Sequence, residues 1–196
     1  MGNLIEVLQA RAEAHVWQLV LPALAAVVSL QTGPVVLVGA PLQPFGPSLA
    51  AQGLPAERLL CIQAAKPGAR LWAAEQALRC ADVAAVLAWL PQARNPELRR
   101  LHLAAHQQRR LLFVIRTPQA RQEASPARLR LLLEGVDEMR VHILKRRGPP
   151  LEGPIVLAAR PPRLEALLQA RRSKAGVPLH IDNRRSHVLD RPLAIT

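Results

Sequence analysis

Residues 16–40 read VWQLVLPALAAVVSLQTGPVVLVGA. From Val16 to Leu30 the run is apolar almost throughout and long enough for a buried helix, with Pro22 either in its first turn or kinking it. Gly33-Pro34 ends that helix, and Val35-Val36-Leu37-Val38 follows as a buried strand. Working outward, Leu4 to Leu8 predicts a strand ahead of the helix. Pro47 to Gln52 predicts a short helix stopped by Gly53, and Leu59 to Gln63 a third strand. Gly68 to Cys80 predicts an amphipathic helix with Leu71, Trp72, Glu75 and Leu78 at helical spacing. Val83 to Trp89 is a fourth strand. Asn95-Pro96-Glu97 supplies the N-cap, first-position proline and acidic first turn of a helix running to about Gln108, and Leu111 to Ile115 is a fifth strand. Strand and helix in this alternation imply crossover units, hence an α/β fold with a mostly parallel sheet covered by helices on both faces.

The rhythm then changes. After a polar loop from Arg116 to Pro126, Arg128 to Leu133 and Met139 to Leu144 are candidate strands separated by the turn Glu134-Gly135-Val136-Asp137, and Ile155 to Ala158 follows Gly153-Pro154. These three predict antiparallel edge strands. Leu164 to Lys174 reads as an amphipathic helix, and Gly176 to Thr196 as a polar, Arg-rich tail. The expected organisation is a core over residues 1–160 and a basic C-terminal helix and tail over 161–196.

The chain has 196 residues, 50% hydrophobic and 20% charged, which is the composition of a packed domain. Its net charge of +12 is unevenly distributed. Residues 1–90 hold five basic and five acidic groups, whereas 21 basic residues face nine acidic ones beyond Leu90. That asymmetry favours a polyanionic partner, nucleic acid or an acidic protein surface, over a small neutral substrate. Two cysteines, Cys61 and Cys80, are too few for a disulfide scaffold or a zinc site, so the cytoplasm is the expected compartment. The uncharged stretch between Glu13 and Glu57 is cut by prolines and Gly33 into pieces too short to span a membrane. With no Tyr, two Phe and three Trp, aromatic platforms for base stacking are not available.

Several segments in series, RLLCIQ, LWAAEQALR, VLAWLP, LRRLHLAA, SPARLRL and ILKRRGPP, together resemble the ImuA family, RecA-like and SulA-like accessory proteins encoded with the polymerase-like protein ImuB. The resemblance implies a RecA-like core. A functional phosphate loop after the first strand needs glycines, a Lys and a hydroxyl. Gln9 to Val16 offers none of these, and Arg11 and Glu13 occupy the degenerate position. No carboxylate lies between Val83 and Pro91 to support magnesium, and Gly39-Ala40-Pro41 holds nothing to orient an attacking water. The expectation is a RecA-shaped scaffold that is not an enzyme and takes no nucleotide, metal or other cofactor.

The resemblance further implies that Lys145, Arg146 and Arg147 stand where RecA-type proteins carry cations that reach a neighbouring subunit, making them a candidate RecA interface. Arg116, Arg121, Arg128 and Arg130 bracket a loop where such proteins contact DNA, and are candidates for DNA or an acidic partner. Arg163, Leu164, Leu167, Leu168, Arg171 and Arg172 have the spacing of a partner-binding helix. His102 and His106 are i, i+4, but lack further metal ligands. The function implied is a non-enzymatic accessory factor of SOS-induced, error-prone translesion synthesis and mutagenesis. It would bind RecA and ImuB, and through ImuB an error-prone DNA polymerase, with non-specific DNA contact and no membrane or small-molecule substrate. The alternative is a SulA-like inhibitor of cell division that binds FtsZ.

Overall fold

The computed structural model describes residues 3–10, 15–136, 138–160 and 162–175, and only the backbone of 162, 163 and 172–175. The chain divides into two compact units, the first ending at Ala159 and the second beginning at Arg160.

The first unit is built on one eight-stranded sheet. Its strands are β1 (Asn3–Gln9), β2 (Val35–Val38), β3 (Leu59–Ile62), β4 (Ala85–Trp89), β5 (Leu111–Arg116), β6 (Leu129–Glu134), β7 (Glu138–Lys145) and β8 (Ile155–Ala158). They lie in the order β3-β2-β4-β5-β1-β6-β7-β8. The helices are α1 (Val16–Leu30), α2 (Gly46–Ala50), α3 (Pro67–Arg79) and α4 (Asn95–Gln107), and the second unit carries α5 (Pro162–Ala175). The fold is therefore mixed α/β with a mostly parallel sheet, and the expected elements recur within a few residues of their reading. Among the described residues no helix is long and apolar enough to cross a membrane.

One strand differs in direction. β6 runs parallel to β1, with Glu6 opposite Arg130, so only β7 and β8 form the antiparallel edge. A tight Gly135 turn makes β6 and β7 a hairpin, but the direction of β6 within the sheet depends on its non-local pairing with β1, which local turn chemistry does not encode.

Alternating residues of each buried strand feed two cores. Val35 and Leu37 of β2 and Ala85, Leu87 and Trp89 of β4 pack with α1, whereas Val36, Val38, Val86 and Ala88 pack with α3 and α4. This period of two over a run buried on both faces is the reason the central strands read as uninterrupted apolar sequence. Pro22 sits inside α1 on its exposed side, where it removes one hydrogen bond of the helix without placing its ring in the core. Arg58 closes the far end of that helix by donating to the carbonyls of Val28 (3.3 Å), Gln31 (2.5 Å) and Gly33 (2.5 Å), a cation on the negative end of the helix dipole. In α3, Leu71 and Leu78 are buried and Trp72 is 63% exposed, so the tryptophan is on the solvent side of the helix. α4 starts at Asn95, and its cap comes from Glu97, whose Oε2 accepts from the Arg94 backbone N–H at 2.7 Å.

Gly33 packs against the Asp82 carbonyl, where an added Cβ would meet the oxygen at 1.6 Å. Gly33→Ala is expected to cost about 3 kcal/mol through forced backbone displacement. Gly68→Ala, in open space within α3, should gain about 0.5 kcal/mol. Urea unfolding of the two variants measures the contrast.

Candidate functional site

The parallel strands end along one edge of the sheet, and the segments leaving β3 and β4 there surround a cavity of about 510 Å³. After β2 the chain turns at Gly39 with φ +64°, and a Cβ at that position would lie 2.8 Å from Cδ of Arg70. The Arg70 side chain therefore crosses over the glycine, and its Nε donates to the Ala64 carbonyl at 2.6 Å. Arg70, Gln92, Arg94 and Glu97 line the cavity with Leu71 and Leu90. A guanidinium-rich mouth over an apolar floor suits an acidic or amide group presented by a partner. The loop from β2 to α2 also follows this edge, and it exposes Leu42 (55%) and Phe45 (73%).

Where a nucleotide-binding sheet would hold phosphate and magnesium, other side chains stand. Arg11 and Glu13 lie outside the described residues. Gln9, at the end of β1, is buried with Oε1 unpartnered. β4 ends in Trp89, buried with Nε1 unpartnered and packed against Trp17 with ring centroids 6.2 Å apart. Among the described residues there is no group of three or more His, Cys, Asp or Glu that could hold a metal ion. Cys61 and Cys80 are free and exposed.

Two of the candidate contact residues point inward. Arg116 Nη1 donates to Glu6 Oε1 at 2.9 Å, and Arg130 Nε donates to Glu6 Oε2 at 2.7 Å, with Glu6 fully buried in β1. Arg116 Nη2 also bonds Glu123 at 2.6 Å, and Arg130 reaches the carbonyls of Ala120 (2.7 Å) and Glu123 (3.1 Å). Arg116 and Arg130 are thus corrected from surface contacts to core ion-pair residues. The physical reason is Glu6: a carboxylate on the inward face of a central strand requires cations beside it. Its sequence signal was the single acidic residue inside the apolar run Leu4 to Leu8.

Arg121 and Arg128 are exposed, as are Lys145, Arg146 and Arg147 in the turn after β7. Lys145 Nζ donates to the Ser125 carbonyl at 3.0 Å, and Arg146 Nε to that of Pro149 at 2.7 Å. Arg128 and Lys145 both act electrostatically on His102 of α4. In α5, Leu164 and Leu167 are exposed, Leu168 is half-buried and Arg171 is exposed. The side chains of Arg163 and Arg172 and the tail from residue 176 lie outside the described residues.

Arg130→Ala should lose about 3–5 kcal/mol of stability by leaving Glu6 under-compensated in the core. Arg128→Ala, at an exposed position, should change stability by no more than about 0.5 kcal/mol. Denaturant titration separates them, and similar losses for both would contradict the assignment of Arg130 to the core.

No curated protein matches the chain. The crystal structure of SulA from Pseudomonas aeruginosa aligns at 25% identity over 58% of this chain and 97% of that one, with a TM-score of 0.47. The family model described as "Cell division inhibitor SulA" matches residues 2–112, which run from β1 through α4 into β5. That match covers more than half of the sequence, and the chain belongs to the SulA family.

Proposed function

We propose that the protein is a SulA-type inhibitor of cell division that acts by binding the tubulin-like protein FtsZ, without catalysis of its own. The observation that carries this reading is the family match over residues 2–112. That segment contains both the cavity lined by Arg70 and Arg94 and the exposed Phe45, a polar recess and an aromatic side chain of the kinds found in protein-binding surfaces. The non-enzymatic reading is supported by Trp89 at the end of β4 and Gln9 at the end of β1, in place of magnesium and phosphate ligands. The sheet order supports reading the scaffold as RecA-like. Family membership also supports a link to the SOS response, and cytoplasmic residence fits both the partner and the free, exposed thiols.

A second reading rests on residues 113–196, which lie beyond the family match and hold 16 basic and eight acidic residues. β6, β7 and the exposed turn Lys145-Arg146-Arg147 belong to this part. They favour the ImuA-like function, in which the protein joins RecA to ImuB and its error-prone polymerase during translesion synthesis.

Sedimentation and GTPase assays of FtsZ with the purified chain test the first reading. Suppression of polymer at near-equimolar ratio is expected, with Phe45→Asp weakening it at least about tenfold by placing a charge in the contact. Lys145→Ala with Arg147→Ala should leave it unchanged. If FtsZ polymer is unaffected while RecA or ImuB is captured in a manner that needs Lys145 and Arg147, the second reading replaces the first.

A further inference from the structure

Arg128 precedes β6 and Lys145 ends the antiparallel β7, so both stand at the amino edge of the parallel strands, opposite the edge that carries the cavity. The last turns of α4 bring His102 and His106 to the same place, with ring centroids 6.3 Å apart. Nδ1 of His102 is buried and has no hydrogen-bond partner. The turn Arg146-Arg147 continues from Lys145 and is exposed. Among the described residues, none of Arg128, Lys145, Arg146 and Arg147 forms a salt bridge with a carboxylate. Three separate segments thus converge their nitrogen donors on one surface and leave the charge uncompensated.

We infer that this patch binds the phosphodiester backbone of nucleic acid, without selecting bases. A docking face for a protein ordinarily contains aromatic or aliphatic anchors at its centre. The residues gathered here are cations and imidazoles, the donor set that contacts phosphate oxygens. Base selection would need stacking rings or bidentate groups in a groove, and the chain's few aromatic residues are on other elements: Trp17 and Trp89 pack together in the core, Phe113 is buried, Trp72 is on the solvent side of α3 and Phe45 immediately precedes α2. Attraction is then long-range and released by salt.

His102 gives the site a pH dependence. His102 is held below the ordinary imidazole value, first by burial and then by Arg128, His106 and Lys145, with no carboxylate among the groups acting on it. It is therefore neutral at neutral pH. A phosphate brought against Arg128 and Lys145 cancels their repulsion and favours the imidazolium, so binding takes up a proton and affinity rises as pH falls through and below the ordinary imidazole value.

The test is fluorescence anisotropy of a labelled oligothymidylate of about 30 nucleotides with the full chain, at about 50 and 200 mM salt. The paired substitution Arg128→Gln with Lys145→Gln should weaken binding about tenfold and flatten the logarithmic salt slope by about 2. Lys66→Gln with Arg99→Gln removes the same charge from other exposed positions and should leave binding near that of the unsubstituted chain. His102→Gln should reduce the gain seen between about pH 7.5 and about pH 5.5. Thermal unfolding of each variant checks that the fold is retained. The assignment is overturned if the oligonucleotide does not bind at the lower salt, or if both paired variants lose affinity equally. Displacement by poly-glutamate at equal charge concentration would likewise overturn it, by assigning the patch to an acidic protein.

Discussion

A carboxylate with no access to water lies at the middle of the sheet, and much of the architecture follows from accommodating it. Glu6 belongs to β1, the strand flanked by β5 and β6, and it receives one guanidinium from each neighbour. Burying that charge alone would cost several kcal/mol. With Arg116 and Arg130 on its two oxygens, and Glu123 closing over Arg116, two cations and two carboxylates balance. Arg130 spends its remaining donors on the carbonyls of Ala120 and Glu123. The 3-10 segment Pro118–Gln122 is thereby tied to the strands on either side, and Ala120 packs on Leu8 and Leu132. The network joins the part of the chain that matches the SulA family to the part beyond it, since Glu6 lies within residues 2–112 while Arg116, Glu123 and Arg130 lie outside.

This pairing changes what the net charge means. Two arginines that count toward +12 neutralise buried or half-buried carboxylates and exert little field at the surface. The effective positive surface is therefore smaller than the sequence total, and Arg128 and the Lys145 turn are among its exposed members. The carboxyl edge with its cavity and the amino edge with Arg128 and Lys145 stand at opposite ends of the same strands. Five or six residues of strand separate them by about 20 Å, and α4 runs from one to the other. A partner seated at one edge leaves the other open.

Most elements were legible because their signals are local. Val16–Leu30 and Val35–Val38 have the predicted bounds, and Gly-Pro punctuation and apolar runs place β3, β4 and β5 within two residues. What was not legible depends on partners distant in sequence. The direction of β6 is set by β1, more than a hundred residues earlier, and nothing within Arg128 to Leu133 distinguishes a parallel from an antiparallel neighbour. Arg116 and Arg130 read as surface cations because arginine usually is one, and only the inward orientation of Glu6 reverses that expectation. The cavity at the carboxyl edge depends on Arg70 lying across Gly39, 31 residues away in sequence, and no motif records such a contact.

The buried ion pairs also govern the register of β1 against β6. Glu6 pairs in register with Arg130, and side chains two residues apart on a strand share a face. Arg130 thereby shares the Glu6 side of the sheet, while Leu129 and Leu131 on either side of it face the α1 core. A shift of one residue in the β1–β6 pairing would set Leu129 or Leu131 beside Glu6 and leave the carboxylate with Arg116 alone in the core. An apolar core would tolerate that slip at lower cost. Glu6 thus specifies which face of β6 is buried, a contribution to register that is separate from its contribution to net stability.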